Sequence, residues 1–155
     1  MSTAVGADRK RLGVRLLTPE GPVFDGVAYM VIAPSVMGEV GILPRHAPLI
    51  AFLKTGDTRL KLVDDTEVVF ATTDGYLSVE EDQVMILVEQ AEDASTIDRA
   101  RADAALKRAE EDLASAGDDD VARTAAESAK KRAENRLRVV DKPSGLLSVP
   151  GRGPD

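Results

Sequence analysis

The chain has no cysteine, no tryptophan and few aromatic residues of any kind. Aromatic side chains make up 3% of its 155 residues. Without cysteine it has no disulfide bond, no thiolate zinc site and no cysteine nucleophile. No apolar run approaches the ~18 residues of a membrane helix and no signal-peptide pattern follows the first residue, so we expect neither segment. The core must be built from Val, Leu, Ile and Ala.

Basic residues are fewer than acidic ones, with 20 Lys and Arg against 27 Asp and Glu. The formal net charge is −7, whereas nucleic acids and anionic bilayers both attract surfaces rich in Lys and Arg. We therefore expect no nucleic-acid partner and no direct insertion into a membrane.

Motifs for catalysis or metal binding are absent from the sequence as well. The chain contains no phosphate-binding loop, no GxGxxG motif and no EF-hand spacing. His46 is its only histidine. A metal site needs several ligands and a catalytic histidine needs a nucleophile or an acid partner, so His46 is more typical of a loop residue that bonds locally or meets a partner. We expect no catalytic residue and no metal.

Residues 12–90 show the pattern of an all-β domain, after a polar segment at 1–11 that we expect to be a mobile tail. Short apolar or alternating runs are separated by Gly, Pro and Asp turn signals. The runs are LGVRLL, VAYMVIA, TRLKLV, EVVFATT, GYLSVE and QVMILVEQ. No segment between them is long enough for the helices of parallel crossovers. This pattern predicts an antiparallel β-sandwich.

One stretch in this domain, GEVGILPRHAPLI at residues 38–50, combines apolar residues with two glycines and two prolines. Proline cannot donate to a sheet ladder and glycine weakens regular elements, so we interpret the stretch as an ordered apolar loop. Apolar side chains in a surface loop need a cover. A partner surface is one candidate.

Residues 91–142 contain no proline and one glycine, Gly117, and are rich in Ala, Arg, Glu and Lys. This composition predicts a helical hairpin. Ser95 followed by Asp98 resembles a capping box, and Gly117 followed by three Asp residues predicts the turn and the cap of the second helix. The tail at 143–155 is rich in Pro and Gly and is expected to be disordered. The predicted fold class is β+α, an antiparallel sandwich followed by an antiparallel two-helix hairpin.

Each predicted helix carries an apolar stripe at helical spacing, and we expect the two stripes to face each other. The stripes are Ala102, Leu106, Ala109, Leu113 and Ala116 on the first helix and Ala122, Ala126, Ala129, Ala133, Leu137 and Val140 on the second. Alanine buries little area, so the hairpin should dock weakly and could extend along a partner. A static antiparallel pair is the alternative.

Four arginines are spaced along these helices. Arg101 and Arg108 lie two turns apart on the first, and Arg132 and Arg136 lie one turn apart on the second. In a closed hairpin these guanidinium groups could clamp a triphosphate, with Ile97 and Asp98 near enough to meet a base or ribose. The alternative is ordinary solvated ion pairing along each helix.

The loop and the helices together resemble one family, the epsilon subunit of the rotary proton-translocating ATP synthase. GEVGILPRHAPLI, KTGD, TDGYLSVEEDQVMILVEQAE and the Arg- and Ala-rich hairpin match it in order across about residues 12–142. The resemblance implies a sandwich that sits beside the gamma subunit on the membrane ring. It also implies a rotor-docking loop, whose residues here are Glu39, Gly41, Ile42, Leu43, Pro44 and His46. Arg45 departs from the small residue that often precedes this histidine.

The hairpin resembles the nucleotide-sensing version found in some bacterial members. The family pattern IDxxRA matches residues 97–102, and the RxxxR pattern of the second helix matches Arg132 and Arg136. Glu92 and Arg108 fall at offsets similar to those of the same site. The resemblance thus implies ATP as a regulatory ligand, with no cofactor required.

The resemblance implies a noncatalytic central-stalk subunit, peripheral at the cytoplasmic face of the cell membrane. It would couple rotation to ATP synthesis and inhibit ATP hydrolysis when its helices extend. The implied partners are gamma and the membrane ring, and the catalytic alpha and beta subunits for the extended hairpin. A free-standing ATP-sensing module is the alternative, and a small hydrolase would need a base and a nucleophile that the sequence does not offer.

Overall fold

The computed structural model describes residues 10–142. The tails expected at 1–11 and 143–155 lie outside this range, apart from Lys10 and Arg11.

A β domain comes first along the described chain and a helical hairpin follows it. The strands are β1 Leu12–Thr18, β2 Gly21–Ala28, β3 Met30–Ser35, β4 Gly38–Ile42, β5 Leu49–Leu53, β6 Gly56–Lys61, β7 Glu67–Thr72, β8 Gly75–Glu80, β9 Gln83–Val88 and β10 Ala91–Asp93. A short 3₁₀ turn, Ala94–Thr96, leads to the helices α1 Arg99–Ser115 and α2 Asp120–Val139. The predicted fold class is confirmed.

The strands form one sheet in the order β10-β7-β6-β3-β5-β8-β9-β1-β2, with β4 paired to β3. The sheet folds over so that its inner surfaces meet. Phe24 on the last strand and Phe70 on the second pack edge to face, with ring centroids 6.3 Å apart. Along β1 the inward residues alternate with outward ones, and Leu12, Val14 and Leu16 are buried. The core is aliphatic apart from these two rings.

One strand pair departs from the predicted antiparallel arrangement. β1 pairs with β9 in parallel, Gly13 through Leu17 lying opposite Gln83 through Leu87. The prediction allowed for parallel pairs only where a single helix makes the crossover. Here the chain passes through seven intervening strands before it returns beside β1, so the pair needs no helix.

The interpretation of the apolar stretch at 38–50 as a loop is correct for residues 43–48 and wrong for the residues on either side. Gly38–Ile42 forms β4 and Leu49–Leu53 forms β5, so only residues 43–48 connect them. Both prolines fall in that connection. β4 pairs with β3 alone, and a strand with one neighbour tolerates glycine because it presents less of its backbone to a ladder. Gly38 also provides the left-handed backbone, φ +115°, that the β3–β4 turn needs.

Of the two helix caps predicted from the sequence, the structure confirms only the one at the turn between the helices. The predicted capping box of Ser95 and Asp98 is wrong, because Ser95 lies in the 3₁₀ turn and donates to Asp93. Asp98 is the N-cap of α1 and accepts from the backbone N of Arg101 at 3.2 Å. At the hairpin turn, Gly117 has φ +55° and the Asp119 carboxylate caps α2, as the sequence predicts.

The alanine stripes form the seam between α1 and α2, which pack against each other. Ala102, Ala109, Ala126 and Ala133 are buried and belong to neither apolar cluster of the sandwich. On α2 the buried part of the stripe begins only at Ala126, because Ala122, near the start of the helix, is exposed. At the open end of the hairpin Arg99 donates to Asp141, and this hydrogen bond raises the pKa of Arg99 above its ordinary value.

Candidate functional site

The hairpin rests on the sandwich through the last half of α2. Val139 is buried in a small cluster with Val69, Ala71, Ala94 and Ile97. This cluster is separate from the main core, so it can open without unpacking the sandwich. It is the apolar part of the hairpin contact.

Asn135 provides the buried polar part of this contact. Its side chain is 2% exposed, and its amide nitrogen lies 2.9 Å from the carbonyl oxygen of Gly56 and 3.4 Å from that of Thr72. Arg138 donates to its carbonyl oxygen at 3.0 Å, which fixes the orientation of the amide. One side chain of α2 thereby donates to backbone carbonyl groups of two neighbouring strands, β6 and β7. This residue was not among those predicted from the sequence.

A groove of about 620 Å³ lies where α2 meets the β1–β2 turn and the start of β10. Of the predicted nucleotide-site residues, Glu92, Arg132 and Arg136 line it. Asn135 and Gln90 lie on its wall as well. Two guanidinium groups one helical turn apart give the groove a cationic side that suits an oxyanion. The groove opens to solvent, so a ligand could enter without movement of the hairpin.

The other four predicted nucleotide-site residues do not line this groove. Ile97 is 9% exposed and packs under Val139, so its side chain is not available to a base while the hairpin is docked. Asp98 is engaged as the N-cap of α1. Arg101 and Arg108 are exposed on α1. In the docked hairpin, two of the four predicted arginines, Arg132 and Arg136, therefore lie together in the groove.

The predicted docking loop is spread over β4 and the β4–β5 connection. Glu39 is exposed and accepts from Arg59 at 3.0 Å. Gly41 and Leu43 are exposed, and Pro44 is half-buried. The Nδ1 atom of His46 lies 2.7 Å from the carbonyl oxygen of Ala47, so the ring bonds locally. These side chains are accessible to a partner.

Ile42 does not meet the expectation for a docking residue. Its side chain is fully buried in the main core, because it points inward from β4. The alternation of a strand, which the loop interpretation did not allow for, places Gly41 outward and Ile42 inward.

An apolar surface that was not predicted from the sequence covers the outer face of β5, β8 and β9. We call it the outer apolar face; it consists of Ile50, Phe52, Tyr76 and Met85, which are 70%, 68%, 39% and 38% exposed. Phe52 lies directly opposite Tyr76, and Ser78 lies between Ile50 and Met85. The signal was present in LIAFL, where apolar residues occupy both faces of a strand.

Residues 10–142 offer no metal-binding cluster and no membrane-spanning helix. No group of three or more His, Asp or Glu side chains there could hold a metal ion. None of the helices in this range is long and apolar enough to cross a membrane.

These features define a β-sandwich protein with a lightly docked helical hairpin and an exposed apolar face. The family model for the beta-sandwich domain of the ATP synthase delta/epsilon chain matches residues 11–94, and the model for its long alpha-helix domain matches residues 95–141. The chain belongs to this family of ATP synthase subunits, among its epsilon chains. The resemblance seen in the sequence is confirmed.

Individual relatives agree with this assignment. The ATP synthase epsilon chain of Bacillus velezensis is 47% identical over 131 residues, covering 84% of this chain and 97% of the relative. That of Bacillus pumilus is 44% identical over 133 residues, covering 86% and 99%. The role of an ATP synthase epsilon subunit follows from this membership.

Two solved structures share the fold. A chain of the Euglena gracilis mitochondrial ATP synthase (OSCP/F1/c-ring, rotational state 1) has a TM-score of 0.69 at 19% identity, covering 81% of this chain and 78% of that one. A chain of the Tetrahymena thermophila mitochondrial ATP synthase central stalk and c-ring has a TM-score of 0.52 at 18% identity, covering 85% and 98%. At these identities the likeness shows the fold alone.

Proposed function

We propose that the chain is a noncatalytic central-stalk subunit that docks on gamma and on the membrane ring and couples rotation to ATP synthesis. Family membership supports this, and so does the fold that the chain shares with a component of the Tetrahymena thermophila central stalk and c-ring. Attachment through protein partners makes the subunit peripheral, at the cytoplasmic face of the membrane.

The outer apolar face is the observation that carries this proposal. The chain has three Phe and two Tyr, and Phe52 and Tyr76 are placed on this exposed surface instead of in the core. Aromatic side chains are enriched in the buried centres of protein interfaces, and large exposed apolar patches mark binding sites. A permanent partner on this face explains why two scarce aromatics are left uncovered.

The test is copurification of the full chain with gamma. Replacing Ile50 and Phe52 together by Glu should weaken the complex by about tenfold or more, because such anchors dominate interface energies. Val121→Glu is the matched control, since Val121 is 82% exposed on α2, away from this face. Equal retention of gamma by both variants would contradict docking through the outer apolar face.

We also propose that the hairpin inhibits ATP hydrolysis when it leaves the sandwich and extends toward the catalytic alpha and beta subunits. The support lies in the few contacts that hold the hairpin within residues 10–142, which are one small apolar cluster, the hydrogen bonds of Asn135 and the ion pairs of Lys131 and Lys142. An element with few buried contacts opens at modest cost and can be biased by a ligand.

ATP is proposed as the ligand that favours the docked hairpin. The groove beside Arg132 and Arg136, with Glu92 on its far wall, supports this because it exists only while α2 lies on the sandwich. A ligand that binds one state shifts the population by its differential affinity. Ile97, Asp98, Arg101 and Arg108 would join the site only through rearrangement of α1.

Calorimetric titration of the purified chain with ATP tests this regulatory part. We expect saturable heat of ATP binding for the natural chain. The affinity for ATP should be about tenfold or more lower in the Arg132→Ala, Arg136→Ala variant, because charge-assisted hydrogen bonds to phosphate are strong. Arg123→Ala removes an arginine from the opposite end of α2 and should leave binding unchanged. ATP binding without any affinity for gamma would instead favour a free-standing ATP-sensing module.

A further inference from the structure

Four charged side chains of alternating sign form a continuous row from β4 to the end of α2. Glu39 on β4 accepts from Arg59 on β6, with Oε1 and Nη2 3.0 Å apart. The Nε atom of Arg59 lies 3.5 Å from Oδ2 of Asp57 on the same strand. The Nζ atom of Lys142, just beyond α2, lies 2.8 Å from that same Oδ2. The row joins an edge of the sandwich to the hairpin.

Asp57 is the shared member of this row. Both cations approach one oxygen atom and repel each other, so a closer approach of Arg59 weakens the bond from Lys142. Among the residues that the structure describes, none accepts a hydrogen bond from the buried Nε atom of Arg59, which leaves this atom available to bond Asp57. Glu39 holds the other end of the same guanidinium group. By holding the guanidinium group back from Asp57, the carboxylate of Glu39 therefore favours the bond from Lys142.

Lys142 lies where its ion pair can affect docking of the hairpin. Its backbone nitrogen donates to the carbonyl oxygen of Val139 at 2.9 Å, which ties it to the last turn of α2. Val139 is the residue of α2 that fills the cluster on the sandwich. Weakening the pair of Lys142 with Asp57 loosens the end of α2 that carries this contact.

We propose that this row of charges couples the state of Glu39 to the docking of the hairpin. When a cationic group of a partner takes the Glu39 carboxylate, Arg59 moves closer to Asp57, the bond from Lys142 to Asp57 weakens, and release of α2 is favoured. The proposal rests on the proposed function only in placing Glu39 at a docking surface. The coupling itself is a property of the isolated chain.

The absence of cysteine allows a direct measurement in the full chain. In a Val139→Cys background the thiol is shielded while the hairpin is docked, so its rate of alkylation reports how often α2 leaves the sandwich. Lys142→Met should raise this rate about two- to fivefold, the range expected for a partly exposed ion pair. Glu39→Gln, which mimics an occupied carboxylate, should raise it about twofold.

A double-mutant cycle separates coupling from a general charge effect. In the Lys142→Met background, Glu39→Gln should have no further effect, because the connection to α2 is already lost. Asp25→Asn is the matched control: Asp25 pairs with Arg15 at 3.7 Å and is 65% exposed, against 61% for Glu39. This control should leave the alkylation rate unchanged in both backgrounds.

Two results would overturn the proposal. One is a Glu39→Gln rate equal to that of Asp25→Asn, and the other is a Glu39→Gln effect that persists undiminished without Lys142. Hydrogen exchange of the α2 amides in chains that keep Val139 repeats the comparison without the cysteine and excludes an artefact of the reporter. Neither result bears on gamma binding, so failure here is distinguishable from failure of the proposed function.

Discussion

Asn135 provides the buried hydrogen bonds with which α2 docks on the sandwich. It is buried between α2 and the strands β6 and β7, and its amide serves two backbone carbonyl groups. Asn135→Ala should destabilise docking by about 1–3 kcal/mol, because buried acceptors lose their donor and cannot all regain water. The measurement is hydrogen exchange resolved by segment. We expect faster exchange in α2, with protection kept in the β1–β9 pair.

Ser128→Ala provides the matched control for this prediction. Ser128 lies two turns earlier on α2 and is exposed, so its loss should not change exchange. Uniform loss of protection in the Asn135→Ala variant, sandwich included, would show that the residue supports the whole fold and not hairpin docking.

Single residues were predictable where their chemistry is local. Gly117 and Asp119 follow from turn and cap rules that need only neighbouring residues, and the structure confirms both. Asn135 was not predictable, because an asparagine in a charged helical sequence is typical of a solvated face. Its role depends on Gly56 and Thr72, residues far away along the chain.

At the scale of elements, the seam between α1 and α2 depends on small side chains. Ala133 is fully buried, and the other buried residues of the two stripes before Val139, which are Ala102, Ala109 and Ala126, are also alanines. Ala133→Leu should destabilise the hairpin by about 1–3 kcal/mol, since added atoms force a close helix pair apart. Ala125→Leu is the control, because Ala125 is exposed on the same helix. Thermal unfolding followed by helical circular dichroism should show an earlier loss of helix for the first variant alone.

An equal effect of the two substitutions would mean that helix propensity, and not packing of the seam, dominates the hairpin.

The helices and strands with the clearest apolar periodicity were the ones that the sequence predicted. The helices and the strands β6 to β9 follow from clear patterns in residues 58–140. β4 was missed because its two glycines lowered its strand propensity, and β5 because the nearby prolines Pro44 and Pro48 extended the loop interpretation to residue 50. The sheet neighbours that fix both strands, β3 for β4 and β8 for β5, are specified by tertiary contacts. Only part of the groove was predictable from the sequence. Arg132 and Arg136 share one helix face, whereas the opposite wall is formed by segments of the β domain.

At the scale of the whole molecule, the proposed inhibition requires that the hairpin leave the sandwich. Glu89 and Ser128 are exposed on opposite sides of a cleft of about 230 Å³ between the sandwich and α2. Because the natural chain has no cysteine, Glu89→Cys with Ser128→Cys gives one unique thiol pair. A cleavable bismaleimide spacer across this cleft would hold the hairpin docked.

The crosslinked subunit, assembled into the complete ATP synthase, should leave ATP hydrolysis uninhibited, because a tethered hairpin cannot reach the catalytic subunits. Steady-state hydrolysis is measured before and after cleavage of the spacer, and cleavage should restore inhibition. The two single-cysteine variants, treated with the same reagent, control for modification alone. Hydrolysis that stays inhibited while the tether is intact would place the inhibitory contact on the docked form, and extension of the hairpin would then have no part in it.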